Sequence, residues 1–228
     1  MSILAALPYR RPRSRWARLI SRPLGPLPAD LPWVGYDRAE FAAAPSNRWL
    51  GVLAAILVVG AVATVITFVP VLGTTPVTLA FGVDWGGWVT IVLITVLLVA
   101  MPIIARRRSG RSLPALVHQL ALNEELWFRA GSERWTVGQR LYSCAAFGFV
   151  HLTNLIYSLA TCGVLIAVGG LFMLVYRHRH QVTGDTRQAV VAAAKVHATY
   201  NLVLGAVLYL AVTGYWVLTI GDLVAGRL

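Results

Sequence analysis

Charged residues are scarce in this chain, and acidic residues are the scarcest of them. Only 13% of the 228 residues are charged; 9 Asp and Glu stand against 20 Lys and Arg, and Lys195 is the only lysine. A soluble globular domain is about 25% charged and about 45–50% apolar, whereas 57% of this chain is hydrophobic. The sequence therefore lacks the polar residues that would cover a water-soluble domain, and it predicts a membrane protein.

Cysteine is also rare, which excludes a disulfide framework. Cys144 and Cys162 both lie in apolar stretches, where a cysteine is typically a small buried hydrophobe. The net charge of +11 is typical of some nucleic-acid-binding proteins. Here, however, the basic residues lie at the ends of apolar runs, where cytoplasmic loops and anionic headgroups favour them. We therefore expect membrane lipids, and no nucleic acid, as partners.

The apolar runs predict how the chain is organised. Residues 1–48 form a basic, proline-rich arm that we expect on the cytoplasmic side. Trp49–Leu72 and Trp88–Ala105 carry no charge, and a helix needs about 20 apolar residues to cross a membrane. The second run ends in the basic residues Arg106, Arg107, Arg108 and Arg111, so that end is predicted to be cytoplasmic. Residues 49–111 are thus predicted to be two N-terminal transmembrane helices.

Residues 112–228 are predicted to form the second part of the bundle. Leu141–Tyr176 is long enough for two spans, which we expect to be joined by a turn between Tyr157 and Gly163, and Ala189–Ile220 is a last apolar run. The predicted fold is all-α, a polytopic transmembrane helix bundle with a four-helix core, in the cell membrane with its N-terminus cytoplasmic.

Two basic segments, residues 106–111 and 177–187, are compatible with two different membrane topologies. Both segments are typical of cytoplasmic loops, yet three apolar helices lie between them. Either the helix within residues 112–131 does not fully cross, or one basic loop breaks the positive-inside rule.

Two adjacent glutamates interrupt the apolar segment 112–131, which is bounded by Pro114 and Gly131 as a helix would be. A charge at mid-bilayer costs about 2.5–3.5 kcal/mol, so such residues are functional candidates. Glu125 and Arg129 are four residues apart and can pair on one helix face. Glu124 is rotated by about 100° from Glu125 and is left to face another group. The alternative is that residues 124–134 form a surface loop.

Three more polar residues lie in the later apolar runs, namely His151, His197 and Asn201. Each could serve only to hydrogen-bond between helices. Counted from the ends of their runs at about 1.5 Å per residue, however, His151 is about 15 Å and His197 about 12 Å from the cytoplasmic end, and Glu124 is roughly 10–16 Å deep. A carboxylate, two imidazoles and an amide are therefore predicted to meet at one level.

These residues form three ordered motifs. Glu124, Glu125 and Arg129 match EExxxR, Phe147 and His151 match FxxxH, and His197 and Asn201 match HxxxN. The set resembles the CPBP family of intramembrane proteases, which includes the CAAX prenyl endopeptidases and bacterial bacteriocin-processing or immunity proteins. The resemblance covers about residues 112–213. It departs from the family pattern at one position: the arginine of EExxxR is commonly followed directly by glycine, whereas Arg129 is followed by Ala130.

The resemblance implies a glutamate-dependent endopeptidase that acts on a peptide or protein substrate without a cofactor. It implies that Glu124 and His151 activate a water, that His197 and Asn201 stabilise the oxyanion, and that Glu125, Arg129 and Phe147 support them. A divalent metal held by Glu124, His151 and His197 is an alternative, because these ligand types suit zinc. The sequence has no HExxH motif and no pair of aspartates within an apolar run, so other intramembrane protease mechanisms fit poorly.

A non-catalytic scaffold or bacteriocin-immunity protein is the rival function. In that case the polar cluster only holds helices together, and replacing Glu124 by glutamine would leave the phenotype unchanged. A small transporter or proton relay fits less well, because the sequence lacks the paired broken helices in two halves that such proteins use.

Overall fold

The computed structural model describes residues 37–44, 47–110, 112–151 and 157–227, and these residues form helices without a strand. The α-helices are α1 (Arg38–Ala43), α2 (Arg48–Phe68), α3 (Pro76–Phe81), α4 (Val83–Ser109), α5 (Leu113–Phe128), α6 (Val137–Val150), α7 (Leu159–Thr183) and α8 (Thr186–Val224). The predicted all-α class is thereby confirmed for this part of the chain. Most of the predicted basic arm, residues 1–36, lies outside the described residues.

Among the described residues, four helices are long and apolar enough to cross a membrane. They are α2, the segment Trp85–Ile104 of α4, α7 and α8. Of the two spans predicted within Leu141–Tyr176, α7 is one of these four, whereas α6 is not. The two helices that carry the EExxxR and FxxxH motifs, α5 and α6, have only 16 and 14 residues. At 1.5 Å per residue they are about 24 and 21 Å long, so they are shorter than the helices around them.

Helix α8 lies at the centre of the bundle and packs against α2, α5 and α7. Its first half, from Ala189 to Tyr200, is almost entirely buried, and five of these residues are alanine. Small side chains let helix backbones approach closely. At the α2–α8 contact Gly51 faces the backbone of Val196 so closely that a Cβ on Gly51 would overlap the Val196 carbonyl.

The short helix α1 is fixed to the first half of α8 by charged groups. Glu40 accepts two hydrogen bonds from the Arg187 guanidinium, at 2.7 and 2.8 Å. The buried Lys195 ammonium donates to the carbonyls of Ala42 and Ala44, at 3.1 and 2.6 Å. Carbonyls at a helix C-terminus lack intrahelical partners and attract cations. The lysine that interrupts the last apolar run therefore caps α1.

Helix α5 is held by contacts near its start and just after its end. Near its start, the ring of His118 packs edge-on against Phe41 of α1, with centroids 5.2 Å apart. Just after its end, the Gly131 amide donates to the Tyr176 hydroxyl at 3.2 Å. Phe41 and Tyr176 belong to one buried core cluster. Both topologies given above stay predictions.

The predicted turn between Tyr157 and Gly163 is wrong. Helix α6 already ends at Val150 and α7 begins at Leu159, where the Ser158 hydroxyl accepts a hydrogen bond from the Thr161 amide at 3.2 Å. Serine is a preferred N-cap because its oxygen satisfies a free amide of the first helical turn. His151 therefore directly follows a helix and does not lie in the middle of a span.

Candidate active site

Both glutamates of the EExxxR motif lie on helix α5, so the surface-loop alternative is wrong. Glu125 and Arg129 are fully buried, and Arg129 Nε lies 3.4 Å from Glu125 Oε2. The predicted ion pair one helical turn apart is thus present. Helix α5 ends at Phe128, and Gly131 follows with a φ of 88°. Such a left-handed conformation favours glycine, and it turns the chain towards α6.

The Arg129 guanidinium is enclosed by three aromatic rings and a backbone carbonyl. Its Cζ lies 4.3 Å from the centre of the Phe147 ring, and the rings of Phe128 and Phe172 are within 6 Å. Arg129 Nη2 donates to the Gly169 carbonyl at 3.2 Å. The face of an aromatic ring attracts a cation, more strongly where water is excluded. The phenylalanine of the FxxxH motif therefore holds the arginine that neutralises Glu125.

His197 is oriented by Glu125. Its Nδ1 lies 2.8 Å from Glu125 Oε1, and its ring stacks on Phe172 with centroids 4.4 Å apart. A carboxylate paired with arginine can only accept hydrogen bonds, so we assign the Nδ1 proton to His197. With Nδ1 thus engaged, the other ring nitrogen, Nε2, is the one directed at Glu124.

Glu124 Oε2 lies 3.6 Å from His197 Nε2, and it is buried without a hydrogen-bond partner among the described residues. The rotation of Glu124 away from Arg129, predicted from helical geometry, thus directs it at His197. The charges of Arg129 and Glu125 cancel, whereas the Glu124 side chain is 37% exposed and its inner oxygen lies against His197. Chemically, this pair can take a proton from one substrate atom and give it to another.

His151 and His197 both contact the ring of Phe147. The centroid of the Phe147 ring is 5.0 Å from His151 and 5.6 Å from His197. Because α6 begins at Val137, four residues before the apolar run, and has 14 residues, His151 is about 21 Å along it and not about 15 Å. No hydrogen bond or ion pair joins His151 to Glu124 within the described part of the chain. The structure therefore brings the two imidazoles to one ring, but not to one carboxylate.

One ring nitrogen of His151, Nδ1, faces a backbone carbonyl, and Nε2 has no hydrogen bond within the described ranges. Nδ1 lies 2.6 Å from the carbonyl oxygen of Phe147. A carbonyl can only accept, so Nδ1 carries a proton and Nε2 of a neutral His151 remains a base.

Two tyrosines near this cluster have no motif that reveals them. The ring of Tyr157 stacks on His151 with centroids 5.7 Å apart. Burial, and then the nearby charge of Glu124, raise the pKa of Tyr157. Tyr200, whose ring centroid is 6.3 Å from that of His197, has a buried hydroxyl with no hydrogen-bond partner among the described residues. Tyr200 follows His197 by three residues on one helix, so helical spacing would have predicted that it lies beside His197. Nothing in the sequence predicts the position of Tyr157.

Asn201, the last residue of the HxxxN motif, lies one turn beyond His197 on α8 and is half-buried. Within the part of the chain that the structure describes, it makes no hydrogen bond to Glu124 or to either histidine. Its predicted role as an oxyanion donor stays a prediction.

The described residues contain no group of three His, Cys, Asp or Glu side chains that could hold a metal ion. The metal alternative, with Glu124, His151 and His197 as ligands, stays a prediction.

Comparison with known proteins gives no match to this chain, whether to family models, to curated proteins or to solved structures. Function must therefore be argued from the motifs and from the geometry of the site.

Proposed function

We propose that this chain is an intramembrane endopeptidase that hydrolyses a peptide bond of a membrane-associated peptide or protein. One observation carries the proposal: the buried Glu124 Oε2 faces His197 Nε2 at 3.6 Å, beside a glutamate whose charge is already cancelled by Arg129. A general base must exchange a proton with a reacting group in the transition state. Glu124 is the carboxylate of the site that is free to do so.

The proposed reaction is attack of a water molecule on the scissile carbonyl carbon. Glu124 accepts a proton from the water as the new C–O bond forms, and the C–N bond then breaks as a proton passes to the leaving amine. His151 assists in activating the water through Nε2, the ring nitrogen that does not face the Phe147 carbonyl. These roles are the ones that the resemblance to the CPBP family implies, and no covalent intermediate is needed.

His197 and Asn201 are proposed to stabilise the oxyanion. His197 in its protonated form donates through Nε2, while Glu125 holds the opposite side of the ring. A single such donor is typically worth about 10²–10³ in rate, because it is already aimed at the developing charge. Asn201 would contribute through its side-chain amide.

The rival scaffold or immunity function is favoured by the same buried network. Arg129 joins α5 to the rings of α6 and α7 and to the Gly169 carbonyl, as a purely structural residue would. The rival differs in one respect, because it gives Glu124 no chemical task.

Cleavage by the purified full chain in liposomes tests the proposal. A library of peptides with membrane-anchoring tails is incubated with the wild type, Glu124→Gln and the matched control Asn123→Gln, which changes an exposed neighbour on α5. We expect the wild type and the control to cleave some peptides, as detected by mass spectrometry. Glu124→Gln should lose about 10²–10⁴ in rate, which is the usual contribution of general acid–base catalysis.

A folded Glu124→Gln variant that cleaves at the wild-type rate would remove the mechanism. A wild type that cleaves nothing in the library would favour the scaffold. The same assay with a chelator distinguishes metal-free from metal-dependent hydrolysis. Metal-free hydrolysis continues at an unchanged rate, whereas cleavage is lost if a metal is held by Glu124, His151 and His197.

A further inference from the structure

A groove of about 750 Å³ lies between α2, α7 and α8, on a face of α7 that does not contribute to the candidate active site. Its walls are apolar and include Leu50, Leu171, Leu174 and Ala192, while His178 and Arg179 line it as basic residues. Binding sites for small molecules typically have volumes of about 300–1,000 Å³ and combine apolar walls with a few polar groups. The groove is thus built for an amphipathic ligand.

Arg179 supplies a positive charge that no carboxylate neutralises among the described residues. Its Nη2 donates to the neutral Gln188 amide oxygen at 2.8 Å, and its Nε is buried without a hydrogen-bond partner. Its neighbour on α8, Arg187, differs because it is paired with Glu40. A buried guanidinium nitrogen that lacks an acceptor is costly. An anionic group in the groove would neutralise the charge of Arg179, which lines it.

The apolar wall of the groove continues from this basic end onto a lipid-facing surface. Leu174 is 65% exposed and Val182 is 63% exposed. Both residues belong to α7, one of the four described helices that are apolar enough to cross a membrane. Acyl chains cover such residues in a bilayer. Basic pockets between transmembrane helices bind the headgroups of anionic lipids, and a phosphate accepts strong hydrogen bonds from arginine.

We propose that this groove binds one anionic phospholipid, with its phosphate on Arg179 and an acyl chain along Leu50, Leu171 and Leu174. Arg179 and the leucines Leu171 and Leu174 of α7 line the same groove, so one ligand can contact the charge and the apolar wall together. This site is separate from Glu124 and His197, so it does not depend on the proposed protease activity.

Native mass spectrometry of the detergent-purified full chain tests the proposal. Dioleoyl phosphatidylglycerol and dioleoyl phosphatidylcholine, which have the same chains, are titrated separately, and inorganic phosphate is titrated as the headgroup anion alone. We expect the wild type to bind the anionic lipid about tenfold more tightly than the zwitterionic lipid, and phosphate not measurably. Arg179→Gln should remove this preference, since a hydrogen bond to a charged group is worth about a factor of ten or more.

Two further variants make the result specific. Arg177→Gln removes an arginine on the same helix that does not line the groove, and it should bind like the wild type. Leu174→Trp fills the groove from an exposed position and should weaken binding of both lipids without unfolding the chain. Equal affinity for the two lipids, equal loss in Arg177→Gln and Arg179→Gln, or binding of phosphate as tight as that of the lipid would each overturn the proposal.

Discussion

Arg129 is the residue on which the buried cluster depends most. It neutralises Glu125, contacts three aromatic rings and donates to the Gly169 carbonyl. Without it, Glu125 would be a buried carboxylate whose side chain has His197 as its one polar partner among the described residues. A buried ion pair adds little stability relative to apolar residues of the same size, but removal of one partner alone leaves a buried charge unpaired.

We therefore expect Arg129→Met to lower the free energy of unfolding by about 3–5 kcal/mol. The measurement is denaturant unfolding of the detergent-purified protein, followed by tryptophan fluorescence. Arg134→Met is the matched control, because Arg134 is 67% exposed and pairs with Glu133 at 3.6 Å. The loss of an exposed pair costs about 0–1 kcal/mol. Equal effects of the two substitutions would show that burial of Arg129 does not matter for stability.

The contact of helix α6 with α7 depends on a glycine. A Cβ on Gly148 would lie 2.5 Å from Ile166 Cγ1 and 2.6 Å from the Cys162 carbonyl oxygen. The carbonyl belongs to the α7 backbone and cannot rotate away. Because Phe147 is the adjacent residue, the same contact also sets where the Arg129 pocket and His151 lie.

Gly148→Ala should consequently destabilise the protein by about 1–3 kcal/mol, as overpacking of a close contact usually does. The control is Gly163→Ala on α7, since a Cβ at Gly163 meets no atom within 4 Å. There alanine should be neutral or stabilising by up to about 1 kcal/mol, because it is the better helix former. Both variants are compared by thermal unfolding. A Gly148→Ala protein as stable as Gly163→Ala would contradict the close contact of α6 and α7.

For single helices, the sequence correctly predicts the features that depend on residues close together in the chain. Pro114 and Gly131 correctly bound the segment that contains α5, and the four-residue spacing of Glu125 and Arg129 correctly predicts their pair. The end of α6 is predicted wrongly, because residues 141–176 form one apolar run and hydrophobicity alone does not show where the chain turns. The Ser158 N-cap was the available signal.

The molecule as a whole brings together residues that are distant in sequence. Glu124 is on α5 and His197 on α8, and their contact depends on the alanine-rich first half of α8. No pattern within one segment indicates that His197 is held by Glu125 and stacked on Phe172, or that Tyr157 lies on His151. The depths calculated for the two histidines are too small for one reason, since α6 and α8 begin four and three residues before the apolar runs from which the depths are counted. At 1.5 Å per residue His151 is about 21 Å and His197 about 17 Å along its helix.

The central claim is that Glu124 and His197 act together in hydrolysis, with the Glu124 carboxylate as the base and His197 Nε2, 3.6 Å from it, as an oxyanion donor. A double-mutant cycle of Glu124→Gln and His197→Gln, measured as kcat/KM on a cleaved peptide, tests it most directly. Residues that act as a unit show strongly non-additive losses. We expect each single variant to lose about 10²–10⁴ in rate and the double variant to be no slower than the slower single variant. Losses that multiply in the double variant, or a single variant with the wild-type rate, would contradict the account.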